Sequence, residues 1–551
     1  MLCEDGYPFS VALALLGVIL AMVTFRPPHR DSCCFDREAA QPAIDDDPLL
    51  ARRRHCFFPL AHRSDHRPVE HTPPVRTTSL TSALVKYSLA RNEDSRNLMP
   101  ALEWYPVRGA LLPFLNRSNL RQAAFGAALA ILLCHNAFLT VAFGLVGSLG
   151  NSIVTGVLLF ALPLSLFLLS FRKDFRIQPA DFIFAGLVGT ALGSFFLNTQ
   201  VDDNSTREHL LLVATLAGYI ACRPIMIDDT GIVRSAFERI TAVIVLVGAV
   251  FTAAEIFRQW DGVPGKPFVF GFNAAGAYFM TSLGFLVIAL VTIDKPRPRR
   301  TIMVSALIFL PAAVFAAAMV RFTFLALAGS MFVAMILTER GKRWHVVAVG
   351  VTILIAIAVG LSARYNTTKM YASYILEETA ETSLVKKPPE ILPGATEIPS
   401  CRLAINTRNS IAIRQALAKD AIHLIPAVGL LGIGLDGFFR FSCIKAHQVH
   451  VSVLQAAVEL GWLGGIFFMA LIGTAIYGLA PLARRNGASR FVLCSLVFAV
   501  LLTFAHGRIS RDTALFALLG CAVGITRDGA LRCRRESGLQ RQRPAANRDI
   551  I

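Results

Sequence analysis

Apolar runs of roughly 17 to 25 residues recur along most of this 551-residue chain. Each is long enough to cross a hydrocarbon core about 30 Å thick. Lipid offers the backbone no hydrogen-bond partner, so each run must satisfy its own N–H and C=O groups and fold as a helix. The chain is therefore expected to be an all-α, polytopic integral membrane protein, and its 54% hydrophobic content fits that class.

Nine spans are expected within 121–363, near 123–148, 152–171, 181–198, 208–222, 238–257, 268–293, 302–319, 321–338 and 345–363. Three more are expected within 450–526, near 450–478, 490–506 and 510–526. That makes about twelve, with a large polar loop, 364–449, between the ninth and tenth. Residues 9–25 read as an extra N-terminal span or a signal-anchor. From Arg26 to about Arg121 the chain is rich in Arg, Asp, Pro and His and sustains no periodicity. Residues 1–120 are thus expected to be a poorly ordered cytoplasmic extension. Met99 is an alternative start, which N-terminal sequencing would decide.

The net charge of +17 does not point to nucleic acid, because Lys and Arg gather in short loops and tails rather than in an aromatic-interleaved patch. Alternate loops (172–176, the region of Arg223, Arg234 and Arg239, 294–300, 339–343 and 483–490) hold 16 Lys and Arg. The short loops between them hold only Arg207, Arg258, Lys266, Arg321, Arg508 and Arg511. The positive-inside rule puts the first set in the cytoplasm with the basic tail 527–551, and the long loop outside. The eleven cysteines show no metal-ligand spacing. Cys401 and Cys443 share the outer loop, where a disulfide and two free thiols are the alternatives.

Between Thr301 and Thr338 the only charge is Arg321. A helix of that length would run about 55 Å, nearly twice the hydrocarbon thickness, so the chain must turn, and Arg321 is the natural place. There it either snorkels to lipid headgroups or stands as a fixed cation for a phosphorylated lipid, whose oxygens suit a planar fork. The outer turn 258–276 offers Arg258 and Lys266, with Asn273 as a helix cap. In the long loop, Arg408 and Arg414 accompany an amphipathic segment with Ile411, Leu417, Ile422 and Leu424 as its apolar positions. The glycines from Gly429 to Gly437 would permit a sharp turn and close approach to a ligand.

His450 stands at the predicted N-terminus of the tenth span, where the helix dipole disfavours imidazolium. A neutral imidazole there is a candidate general base, with His447 its rival. A lone interfacial histidine is also a common structural element, the reading given to His423 and His506. His135 and Asn136, inside an apolar run, suggest interhelical hydrogen bonding.

Arg408 followed by ALAKDAIHLIPAVGLLGIGLDGF, then HVSVLQAAVELGWLGG, resembles the signature region of the O-antigen ligase and polymerase superfamily. The resemblance covers roughly 238–526. It sets Leu454-Gln455 and Glu459-x-Gly461 on the family signature and His450 on its catalytic histidine. Arg321 falls on the family arginine after the seventh span, and Arg258 or Lys266 on its second cation. The resemblance implies a glycosyltransferase in the bacterial inner membrane, with its active site facing the periplasm and its C-terminus cytoplasmic. It implies an undecaprenyl-pyrophosphate-linked glycan as donor and a lipid A-core or another glycan as acceptor. It further implies that no metal or other cofactor is needed and that Arg321 with the second cation, Lys266 or Arg258, holds pyrophosphate. By the same resemblance Glu459 is structural rather than a second base. A polymerase of the same superfamily is the nearest alternative. An anion transporter would call for inverted repeats and broken midplane helices, and a non-catalytic scaffold for a dispensable His450.

Overall fold

Helices form where the apolar runs lie. In the computed structural model the described residues are 117–146, 151–170, 177–198, 203–224, 231–260, 265–272, 274–294, 296–376, 410–444 and 447–526. All belong to one unit, Met1–Arg30 with Arg117–Ile551; the second unit, Asp31–Asn116, lies outside them. The expectations for the N-terminal extension, its extra span and the basic tail also lie outside the described residues. Among those residues there is no strand, only an isolated bridge between Val269 and Phe272.

Five described helices are long and apolar enough to cross a membrane: Pro179–Leu197, Ile232–Arg258, Pro298–Ala317, Arg340–Ala363 and Gly461–Ala483. The pair Asn119–Leu133 and His135–Ala142 adds a sixth if taken as one broken span. Phe160–Leu169, Ala275–Val291, Phe322–Leu337, Gly487–Thr503 and Thr513–Thr526 are apolar but shorter. The protein is a helical membrane protein. Its centre is Ala275–Val291, buried along most of its length and flanked by the buried rings of Phe315 and Phe498. Small residues let the helices approach closely: a Cβ on Gly284 would come within 2.3 Å of the Phe498 ring. One buried charge is paired where Asp181 accepts from Arg223 Nε at 2.9 Å and from the Tyr219 hydroxyl at 2.8 Å.

Four local departures from the expected spans shape the site. The run 123–148 breaks at Cys134 with an 83° bend, and the Leu132 carbonyl meets His135 Nδ1 at 3.1 Å. The helix expected from 268 begins at Ala275, after a turn in which Phe270 takes a φ of 52°. The start of the long loop is itself a helix, Tyr365–Leu376. The span expected over 450–478 divides into a short helix, Ser452–Glu459, and the span Gly461–Ala483.

The last break is imposed by backbone crowding. Gly461 takes a φ of 81°, and a Cβ there would lie 2.2 Å from the Leu430 carbonyl oxygen. Gly432, with a φ of 72°, would place one 2.4 Å from the Glu459 oxygen. Across this contact Ile433 N donates to Val458 O, Gly434 N to Glu459 O and Trp462 N to Gly429 O. Within the glycine-rich turn, Gly432 thus makes its close approach to the chain's own backbone.

Candidate active site

The amphipathic segment folds as Ser410–Leu424, burying Ile413, Leu417, Ala421 and Leu424 while Ile422 stays exposed. The buried face packs with Phe438, Val449 and Val458, which seats the segment beside the stretch carrying His450. Arg414 is thereby turned over the Phe322 ring, its Cζ 4.7 Å from the ring centroid. The neighbouring turn carries Arg321, between Pro298–Ala317 and Phe322–Leu337, where the apolar run breaks as expected.

Lys266, Arg321, Arg414 and His450 line one cavity of about 680 Å³. Arg508, Arg511 and Asp512 line it too, as do Tyr278, Tyr371 and the polar pair His135 and Asn136 at the broken helix. Lys266, Arg321 and Arg414 thus share this cavity, and desolvation together with the charges of Arg414 and Arg321 pulls the ammonium of Lys266, itself partly open to solvent, below its ordinary range. Burial lowers Arg414 to about 10. Arg508 and Arg511 share Glu208, the nearer contact being Arg511 Nη2 to Oε1 at 2.7 Å. Ser510 donates to the other Glu208 oxygen at 2.5 Å.

His450 sits just before the N-cap of Ser452–Glu459, which is Val451. Burial, then the positive charges of Arg414 and Arg508 and the neighbouring His447, hold its imidazole down to about 4. At neutral pH the ring is uncharged and one nitrogen can accept a proton. Asp512 takes a hydrogen bond from the Ser452 hydroxyl, while burial pushes its carboxyl up to about 7. A weakly basic ring beside a wall of cations can deprotonate a hydroxyl while the wall holds an anionic leaving group.

The other candidates fall elsewhere. His447 lies beside His450, ring centroids 6.4 Å apart, and is not part of the cavity lining. Arg258 is exposed, pairs with Glu255 at 2.6 Å and is likewise off the cavity. Glu459 is fully buried, takes a hydrogen bond from Gln455 Nε2 at 2.8 Å, and burial raises its carboxyl to about 8. Gln455 in turn accepts from Ile509 N at 2.9 Å, so this part of the signature braces the turn that carries Arg508. Cys443 is buried and disulfide-bonded. Cys401 and Arg408 lie outside the described residues. Among those residues no group of three or more His, Cys, Asp and Glu is placed to hold a metal ion.

Sequence reasoning passed over Arg508, Arg511, Asp512 and Tyr371. For the two arginines the signal was the one that singled out Arg321, isolated charge at a short outer turn between apolar runs.

Residues 306–469 match a protein-family model described as O-antigen ligase. That segment contains Arg321, Arg414 and His450 but neither Lys266 nor Arg508. No curated protein and no solved structure matches the chain.

Proposed function

We propose that the protein works as a member of the O-antigen ligase and polymerase superfamily, the family that residues 306–469 match, and that it moves a glycan from a lipid diphosphate carrier to an acceptor hydroxyl. The donor in this reading is an undecaprenyl-pyrophosphate-linked glycan, and the acceptor a lipid A-core or another glycan. The setting is a bacterial inner membrane crossed about twelve times. The loop 364–449 and the cavity face the periplasm and the C-terminus faces the cytoplasm. The observation that carries the reading is one cavity lined by both His450 and the cations Lys266, Arg321 and Arg414.

The chemistry follows from that arrangement. His450 takes the proton of the acceptor hydroxyl as its oxygen attacks the anomeric carbon from the face opposite the diphosphate. The bond from the anomeric carbon to the diphosphate oxygen breaks, and the charge that develops on the leaving lipid diphosphate is met by Arg321, Lys266 and Arg414. Charges fixed in advance need no reorganisation during the step, which is where their catalytic value lies. Arg321 presents a planar fork to phosphate and Lys266 a point charge, so the two are not interchangeable.

Deleting the gene in its native host and running lipopolysaccharide on a gel tests the proposal. Loss of long chains with lipid-linked polymer accumulating identifies a ligase. A core bearing one repeat identifies a polymerase, and unchanged lipopolysaccharide with lost slime an exopolysaccharide enzyme. Full restoration of the missing glycan by His450→Ala would refute the assigned base.

A further inference from the structure

The cavity cations Lys266 and Arg321 stand on two short turns, and a turn alone does not hold a cation to the tolerance that gripping a diphosphate demands. Arg364 lies directly after the helix Arg343–Ala363 and is only 7% exposed. Its Nη2 donates to the Gly265 carbonyl at 3.0 Å and its Nη1 to the Ala317 carbonyl at 3.3 Å. Gly265 precedes Lys266, and Ala317 ends the helix that leads into the Arg321 turn. One buried guanidinium therefore ties together the two segments that carry the cations.

The helix immediately after it, Tyr365–Leu376, continues the same support. Thr368 Oγ1, which donates to the Leu361 and Arg364 carbonyls at 3.0 Å, also lies 3.7 Å from the Met319 sulfur, and the Tyr371 ring lies 5.2 Å from Arg321 Cζ. Positions 364, 368 and 371 recur at the spacing that puts side chains on one helical face. Met319 takes a φ of 63°, a conformation that a residue with a side chain keeps only when its surroundings over-determine it. Capping the free carbonyls of Pro298–Ala317 would by itself explain the bond to Ala317. It leaves unexplained the reach to Gly265, 99 residues earlier in the chain.

We propose that Arg364, supported by Thr368 and Tyr371, is a positioning residue that holds Lys266 and Arg321 at the separation needed to grip both phosphates of a lipid diphosphate. The inference rests on the reading of the cavity as a diphosphate site. It goes beyond it in giving Arg364, at the start of the long loop and off the cavity lining, a role in substrate binding without contact to substrate.

The test titrates undecaprenyl pyrophosphate into the full-length protein in lipid nanodiscs. Arg364→Gln is expected to weaken binding about tenfold, the order set by two lost charge-assisted hydrogen bonds. Arg364→Lys recovers part of that loss, because an ammonium reaches one carbonyl but not both. In an Arg321→Ala/Lys266→Ala background Arg364→Gln adds less than about twofold, since it acts only through those residues. Binding by Arg364→Gln within about twofold of the native protein overturns the proposal, as does a loss that multiplies in full with the double variant. Should Arg364→Gln fail to insert, Tyr371→Leu takes its place, weakening binding in the native background and not in Arg321→Ala. Native binding by the Arg321→Ala/Lys266→Ala variant would instead sink the diphosphate site itself, an outcome separate from failure at Arg364.

Discussion

Replacing Arg414 by glutamine removes a positive charge that lowers the His450 imidazole while keeping a polar side chain at the position. The ring stands at about 4 against an ordinary 6.5, so the environment accounts for about 2.5 pH units. Burial is the largest cause and Arg414 the next, ahead of Arg508 and His447. Arg414 therefore supplies at most half of the gap, ~1.2 pH units or ~1.7 kcal/mol of charge repulsion. The assay is kcat/KM for glycan transfer in detergent from pH 4 to 8, with integrity checked by gel filtration at each pH. Because the base must be neutral, activity persists below 6.5 and is lost as pH falls through about 4. In Arg414→Gln that acid limb moves up by between about 0.5 and 1.2 pH units. A His450-dependent limb at 6.5 in the native protein, or one that Arg414→Gln leaves in place, refutes the reasoning.

Arg321→Ala should cut transfer by about 10²–10³, the loss seen when one preorganised charge stabiliser is removed, with Arg321→Lys intermediate. Arg258→Ala should leave transfer unchanged, since that side chain pairs with Glu255 at the surface, away from the cavity; a large loss in the same gel assay would contradict its placement. The Glu459 carboxyl is raised in the fold from 4.5 to about 8, so its contribution to stability is present at low pH and lost as pH rises through about 8. Thermal unfolding should accordingly show a native Tm falling from pH 6 to 9, and a flatter profile for Glu459→Gln. Gly461→Ala should lower Tm by several degrees and abolish transfer, because the left-handed backbone alone costs roughly 1–2 kcal/mol and the new methyl meets the Leu430 carbonyl; a stable, active variant would show that the glycine contact yields.

Much of the site was legible because charge in an apolar sequence is rare enough to be conspicuous. Arg321 declared itself as the single charge in a run too long for one span, and the run does break there. His450 and Lys266 could be named, but so could Arg258, whose fate depended on whether Glu255, three residues back on its own helix, would pair with it. The break between Glu459 and Gly461 was hidden because both sides are equally apolar and the cause is a backbone thirty residues upstream. Arg364 was invisible for the same kind of reason, as its partners are carbonyls, which carry no sequence signature.

The helical class and the places of most helices followed from the sequence alone, because run length and the cost of an unsatisfied backbone in lipid are properties of each segment by itself. Which charges share a cavity was decided only by tertiary packing. Lys266, Arg321, Arg414, His450 and Arg508 come from five separate stretches of chain. Their convergence depends on the buried face of Ser410–Leu424, the interlocked glycines at 432 and 461, and a guanidinium tying carbonyls 265 and 317. Those contacts are long-range, and long-range contacts exist only once the chain has packed.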